Sequence, residues 1–91
     1  MKIEPWQIEV AKGKEPEWFG DLNDDCTSKW AGFLLRAEWM DDNQWWWAVS
    51  DLETDEEVDS SNNYEEYIPT TGVEARKIAE SAVLELVGIK K

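Results

Sequence analysis

The chain has no histidine, a single cysteine, three prolines and only nine basic residues against 21 acidic ones. Without histidine, the usual Ser/His/Asp and Cys/His arrangements of nucleophilic catalysis cannot be assembled. A phosphate-cradling glycine loop is missing too, so most enzyme classes lose their customary parts. One cysteine, Cys26, allows no intrachain disulfide and no cysteine cluster for zinc, which agrees with a reducing compartment. Asp24 and Asp25 beside it disfavour the thiolate. The expectation is an ordinary half-buried thiol, with a covalent dimer after air oxidation as its main practical consequence.

No apolar run approaches the roughly 18 residues that cross a bilayer. The opening MKIEPWQIEV lacks the apolar centre of a signal peptide. A cytoplasmic location is therefore expected. Ninety-one residues suit a single domain spanning 1–91, and 42% hydrophobic content with seven tryptophans is enough to fold it.

The charge is unevenly placed. The net charge is -12, and no basic residue occurs between Arg36 and Arg76. That interval holds Glu38, Asp41, Asp42, Asp51, Glu53, Asp55, Glu56, Glu57, Asp59, Glu65, Glu66 and Glu74. Such a field repels phosphates, which argues against direct binding of nucleic acid or an anionic membrane and favours a basic protein partner.

The remaining aromatic and apolar residues concentrate in WAGFLLRAEWM-DDNQ-WWWAVSDL, residues 30–52, which has the pattern of a β-hairpin. With Asp42 and Asn43 as its turn, Trp39 faces Trp46, Ala37 faces Ala48 and Phe33 faces Leu52. Phe33, Leu35, Ala37, Trp39, Trp46, Ala48, Ser50 and Leu52 then share an apolar face. Leu34, Arg36, Glu38, Met40, Trp45, Trp47, Val49 and Asp51 share a mixed one. A slip of one residue would exchange the faces of one strand.

Around this hairpin, residues 1–12 read as an edge strand, because Trp6, Ile8 and Val10 alternate with Gln7 and Glu9 and Pro5 suits a strand's start. Residues 13–29 read as an irregular connection, with Trp18, Phe19 and Leu22 pinned to the core or, in a rival reading, Trp18 and Phe19 presented to a partner. Residues 57–61 fit a short strand opposite the hairpin's second arm. Residues 62–69 form a loop with Tyr64, Tyr67 and Ile68 as anchors. Thr71-Gly-Val-Glu74 is a capping box, and Ala75, Ile78, Ala79, Ala82, Val83 and Leu86 trace one helical stripe that Gly88 ends. Lys90 and Lys91 follow, where positive charge suits the helix dipole.

The expected fold is α+β: a small antiparallel sheet of three to four strands, centred on the hairpin 30–52, with one C-terminal helix of about residues 72–87 on one face. The carboxyl-terminal pattern, W-x-W-x-V, a turn, E-x-V-x-S-S, a loop and an alanine-rich helix, resembles small bacterial domains of unknown function in general style. That resemblance implies architecture and no activity.

Two constellations bear on chemistry. Asp51, Glu53, Asp55, Glu57 and Asp59 alternate like calcium ligands, but Glu56 stands where such a loop needs glycine and Asn62 where it needs a bidentate glutamate. The run reads as a solvated turn and edge strand, with no metal and no cofactor. Carboxylates and tryptophans are also the components of sugar-cleaving sites, yet 21 and seven of them meet by chance, and a chain this short seldom builds a sugar cleft. No enzymatic activity is expected. The expected function is a protein-interaction module, an adaptor or inhibitor of a basic or nucleic-acid-binding partner that acts by nucleic-acid mimicry. Trp45, Trp47, Asp51, Glu53, Asp55, Glu56, Glu57 and Asp59 are its candidate contact residues. The alternatives are a small-molecule or carbohydrate-binding module using exposed tryptophans, and a structural homodimer joined through an uncovered sheet face.

Overall fold

The structure, a computed structural model, describes residues 2–64 and 66–89. Five strands form one antiparallel meander in chain order: β1 (Phe19–Gly20), β2 (Asp25–Trp30), β3 (Phe33–Asp41), β4 (Gln44–Asp51) and β5 (Glu57–Ser60). Helix α1 (Pro5–Gly13) precedes the sheet and α2 (Gly72–Leu86) follows it. The architecture is α+β with the C-terminal helix on one sheet face, and the sheet has one or two strands more than the sequence predicts.

Helix α2 forms where the pattern places it. The Thr71 hydroxyl accepts the Glu74 amide at 3.1 Å, the threonine half of the capping box. At the other end Gly88 adopts φ 84°. Its amide reaches Glu85 O at 3.1 Å and that of Ile89 reaches Leu84 O at 2.8 Å, the paired bonds of a Schellman motif. Ala75, Ala79, Ala82 and Val83 are buried against the sheet, with Ile78 and Leu86 half-buried at the margins of the stripe. The expected service of Lys90 and Lys91 to the helix dipole lies outside the described residues, as does Glu65.

Residues 5–13 are a helix, which corrects the expected edge strand. Pro5 occupies the first helical turn, where its missing N–H is no loss. Gln7 Oε1 accepts the Glu4 amide at 2.8 Å, and Gln7 Nε2 donates to Ala31 O at 2.8 Å. Buried Gln7 and Ala11 and half-buried Ile3, Ile8 and Val10 supply a helical rather than an alternating face, while Trp6 is exposed. Five residues of alternation, Trp6 to Val10, fit either period, and the polar Gln7 concealed the inward position.

Within the expected irregular connection lies β2. Cys26, Ser28 and Trp30 point into the core, while Asp25, Thr27 and Lys29 line the opposite face. A two-residue turn at Ala31 (φ 51°) and Gly32 (φ 82°) joins it to β3, and positive φ at both positions matches the right-handed twist of a hairpin. Trp30 therefore belongs to β2, paired with Phe33, and the central hairpin is Phe33–Asp51.

The hairpin's turn is at Asp42-Asn43 as expected, between the paired Asp41 and Gln44, with Asn43 at φ 59°. Its ladder is not. The register shifts between Trp39 and Asp41, so Trp39 pairs with Trp45, Ala37 with Trp47, Leu35 with Val49 and Phe33 with Asp51. Met40 is the extra residue of a β-bulge, and one extra residue exchanges the two faces of β4. The reason is burial. The face under α2 gains Trp45, Trp47 and Val49 in place of Trp46, Ala48 and Ser50, a much larger apolar area removed from water. The core thus consists of Phe33, Leu35, Ala37, Trp45, Trp47 and Val49 with Cys26 and Trp30 beneath the α2 stripe. On the other face Lys29 and Arg36 are exposed, and Thr27, Leu34, Glu38, Trp46 and Ser50 are half-buried.

Strand β5 pairs with β4 through Ala48↔Ser60 and Val49↔Asp59 and ends at Ser60. Ser61–Asn63 follow as a short 3-10 turn.

Candidate protein-interaction surface

The expected contact residues divide into two groups with different fates. Trp45 and Trp47 are 7% and 2% exposed, so as side chains of the core they offer no contact surface. This corrects the expectation of a Trp45/Trp47 docking face, and the cause is the Met40 bulge. Trp45 packs by the start of α2, its amide bonded to the carbonyl of fully buried Pro69 at 2.8 Å. The indole of Trp47 stacks on Tyr64 with ring centroids 5.9 Å apart and planes inclined by 23°.

The six carboxylates lie together along the β4–β5 turn and β5. Asp51 organises that turn: its Oδ1 accepts the Glu53 amide at 2.8 Å and the Thr54 amide at 3.4 Å, and its own amide bonds Glu56 O at 2.8 Å. Such an Asx arrangement is how an aspartate closes a turn at the end of a strand. Asp55 completes it at φ 61°. Glu53, Asp55, Glu56 and Glu57 are exposed. Among the described residues the ion pairs are Arg36–Asp25 at 3.1 Å and Arg36–Glu38 at 3.9 Å, both on the solvent-facing side of the sheet. The acidic turn thus has no ion-pair partner among the described residues.

Asp59 has a further task. Its Oδ1 accepts the Ser60 amide at 2.9 Å and Asn63 Nδ2 at 3.1 Å, and its Oδ2 accepts the Tyr64 hydroxyl at 3.2 Å. Three donors on one carboxylate fix the chain that leaves β5 and hold the Tyr64 ring over Trp47. The phenol responds to its setting: the Asp59 charge, then burial, their hydrogen bond and the Glu85 charge raise its pKa above the usual 10.0.

The sequence singled out Tyr64 and Tyr67 only as loop anchors. Tyr64 is one, but Tyr67 and Ile68 are half or more exposed, and buried Pro69 secures the segment instead. Between this segment and α2 opens a cavity of about 300 Å³ lined by Trp47, Asp59, Tyr64, Tyr67, Ile78 and Glu85 among others. Sequence reading missed Glu85 because it lies on the polar side of the helical pattern. A signal existed in its position beside the apolar stripe, three residues after Ala82 and seven after Ile78, but it had no meaning until the loop was placed.

In the 13–29 segment, Trp18 is half-buried and donates its indole N–H to Glu80 at 2.9 Å, so it pins the chain to α2 as expected. Phe19 and Leu22, 64% and 46% exposed, do not. Cys26 is fully buried, its Sγ donating to Ala37 O at 3.7 Å. Burial outweighs the nearby Arg76 guanidinium and raises its pKa above 9.0. This corrects the half-buried thiol, and burial argues against the expected oxidation to a dimer.

Among the described residues no three of Cys, Asp and Glu are grouped so as to hold a metal ion, and no helix is long and apolar enough to cross a membrane. The fold and its surface define a small acidic α+β domain with an open carboxylate edge beside a narrow aromatic cleft. Compared with known proteins, this chain matches no family model, no curated protein and no solved structure.

Proposed function

We propose that this chain is an acidic protein-interaction module, an adaptor or inhibitor that engages a basic, nucleic-acid-binding partner through the β4–β5 edge. The observation that carries the reading is the exposure of Glu53, Asp55, Glu56 and Glu57 on one turn and the start of one edge strand, in a stretch with no basic residue from 37 to 75. Carboxylates so concentrated attract a positive surface over about a Debye length, roughly 10 Å at moderate salt. A basic surface that normally meets phosphates would meet these instead, which is the physical content of mimicry. The reading assigns the protein no catalytic step and no cofactor.

Capture from the host lysate tests it, using wild-type protein and a variant carrying Glu53→Gln, Asp55→Asn, Glu56→Gln and Glu57→Gln. Asparagine tolerates the positive φ of position 55, so the turn survives the change. The expected result is a basic protein bound by the wild type, displaced by duplex DNA or by about 0.5 M salt, and not retained by the variant. Equal retention by the variant, or binding that neither salt nor DNA disturbs, overturns the reading.

A further inference from the structure

We infer that the cleft that Asp59, Tyr64 and Tyr67 form with α2 receives one basic side chain of the partner, a lysine ammonium or an arginine guanidinium. The inference rests on the acidic-module reading and gives it a specific seat. Three features of the cleft converge on a cation with an apolar stem.

The first is size. About 300 Å³ lies at the lower limit of small-molecule pockets, which suits a single extended side chain better than a cofactor. The second is the wall chemistry. Tyr64 and Tyr67 supply aromatic rings, Ile78 an aliphatic surface, and Asp59 and Glu85 carboxylates, with no lysine or arginine among the described lining residues. Methylene groups pack on such rings while the charged head is drawn to their faces and to the carboxylates. A neutral apolar group would leave the negative charge of both carboxylates uncompensated, and an anion would be repelled.

The third feature is preorganisation. The Ser60, Asn63 and Tyr64 donors hold Asp59, and Tyr64 is in turn stacked on the buried Trp47. The wall that meets the cation therefore stands before it arrives, which reduces the ordering that binding requires. The same arrangement raises the pKa of Tyr64, through the Asp59 charge first, then burial, their hydrogen bond and the Glu85 charge. The acidic turn ends at Glu57, two residues before Asp59, so the turn that supplies the long-range attraction runs directly into the strand that supplies one wall of the seat.

The test is a titration of the isotope-labelled full chain, followed by nuclear magnetic resonance, with N-acetyl-arginine methylamide, N-acetyl-lysine methylamide and the uncharged N-acetyl-norleucine methylamide. The cationic probes are expected to shift the resonances of the Trp47 indole and of Ile78, Glu85 and the neighbouring Ser81 and Ala82, which also line the cleft, while the norleucine probe is not. Glu85→Gln and Tyr67→Ala, both at exposed positions and so compatible with folding, should each weaken arginine binding about two- to tenfold. Equal response to norleucine, shifts confined to residues 53–57, or no shift with either cation overturns the inference. Lysate capture separates it from the wider reading. A partner kept by Glu85→Gln/Tyr67→Ala but lost with the four turn carboxylates sinks the cleft and spares the acidic module; loss with both sets supports the two together.

Discussion

Ala37 stands directly opposite Trp47 in the central ladder, and that pairing sets which tryptophans hold the molecule together. A methyl group beside an indole lets α2, itself lined by Ala75, Ala79 and Ala82, lie close over the ring. The pairing exists only because Met40 is looped out of β3. Trp47 thereby becomes a core residue, and Trp46 stands on the opposite, half-exposed face.

Trp47→Ala is accordingly expected to reduce folding stability by about 3–5 kcal/mol, the range for emptying a buried aromatic site. Trp46→Ala should cost about 1 kcal/mol or less, as for surface changes away from packed sites. Urea unfolding of the two variants checks the difference. Equal losses, or a larger loss for Trp46, would mean the ladder has the unbulged register.

Gln7 ties α1 to the β2–β3 turn through Ala31 O, and it is buried there. Removing its amide by Gln7→Ala leaves that carbonyl without its partner and the first turn of α1 without a lid on Glu4 N–H. A loss of about 1–3 kcal/mol is expected, accompanied by faster amide exchange across residues 5–13 in hydrogen-exchange experiments. Exchange unchanged over α1 would show that the helix is held by its apolar contacts alone.

The Ser28 hydroxyl is fully enclosed and is the buried side-chain polar atom without a hydrogen-bond partner among the described residues. Ser28→Ala removes a desolvated group at almost no change in volume. The protein should become more stable by up to about 1 kcal/mol, read as a higher urea midpoint at constant slope. Destabilisation by this variant would reveal a partner for the hydroxyl.

Cys26 and Tyr64 both have pKa values raised by folding, so both contribute stability that is complete below their ordinary values and is lost as pH rises through the folded ones. Stability should therefore fall above pH 9.0 for the thiol and above 10.0 for the phenol. Comparing the pH dependence of wild type and Cys26→Ala isolates the first part, because the variant lacks the lower of the two losses. In the native state at neutral pH the thiol should react with a disulfide reagent only as fast as the chain unfolds, and no covalent dimer should form in air.

Features encoded by local chemistry are legible along the chain. The Thr71 cap, the alanine-rich stripe and Gly88 specify α2 within a few residues, since capping and helical periodicity are properties of a contiguous stretch. The Asp42-Asn43 turn and the strand at Glu57 are local in the same sense. The acidic interval from 37 to 75 needs no fold to be recognised. Tertiary structure alone decided the rest. The register of β4 depends on which side chains best fill the space under α2, and a bulge at Met40 leaves no mark of its own in the sequence; comparing the apolar area of the two faces would have pointed to it. Residues 5–13 fit two periodicities until Ala31 O was there to receive Gln7, and β2 was concealed by Ser28, a polar residue at an inward position. The aromatic cleft joins Asp59 and Tyr64 to Glu85 across more than 20 residues of chain, and only folding brings carboxylates that far apart in sequence around one ring.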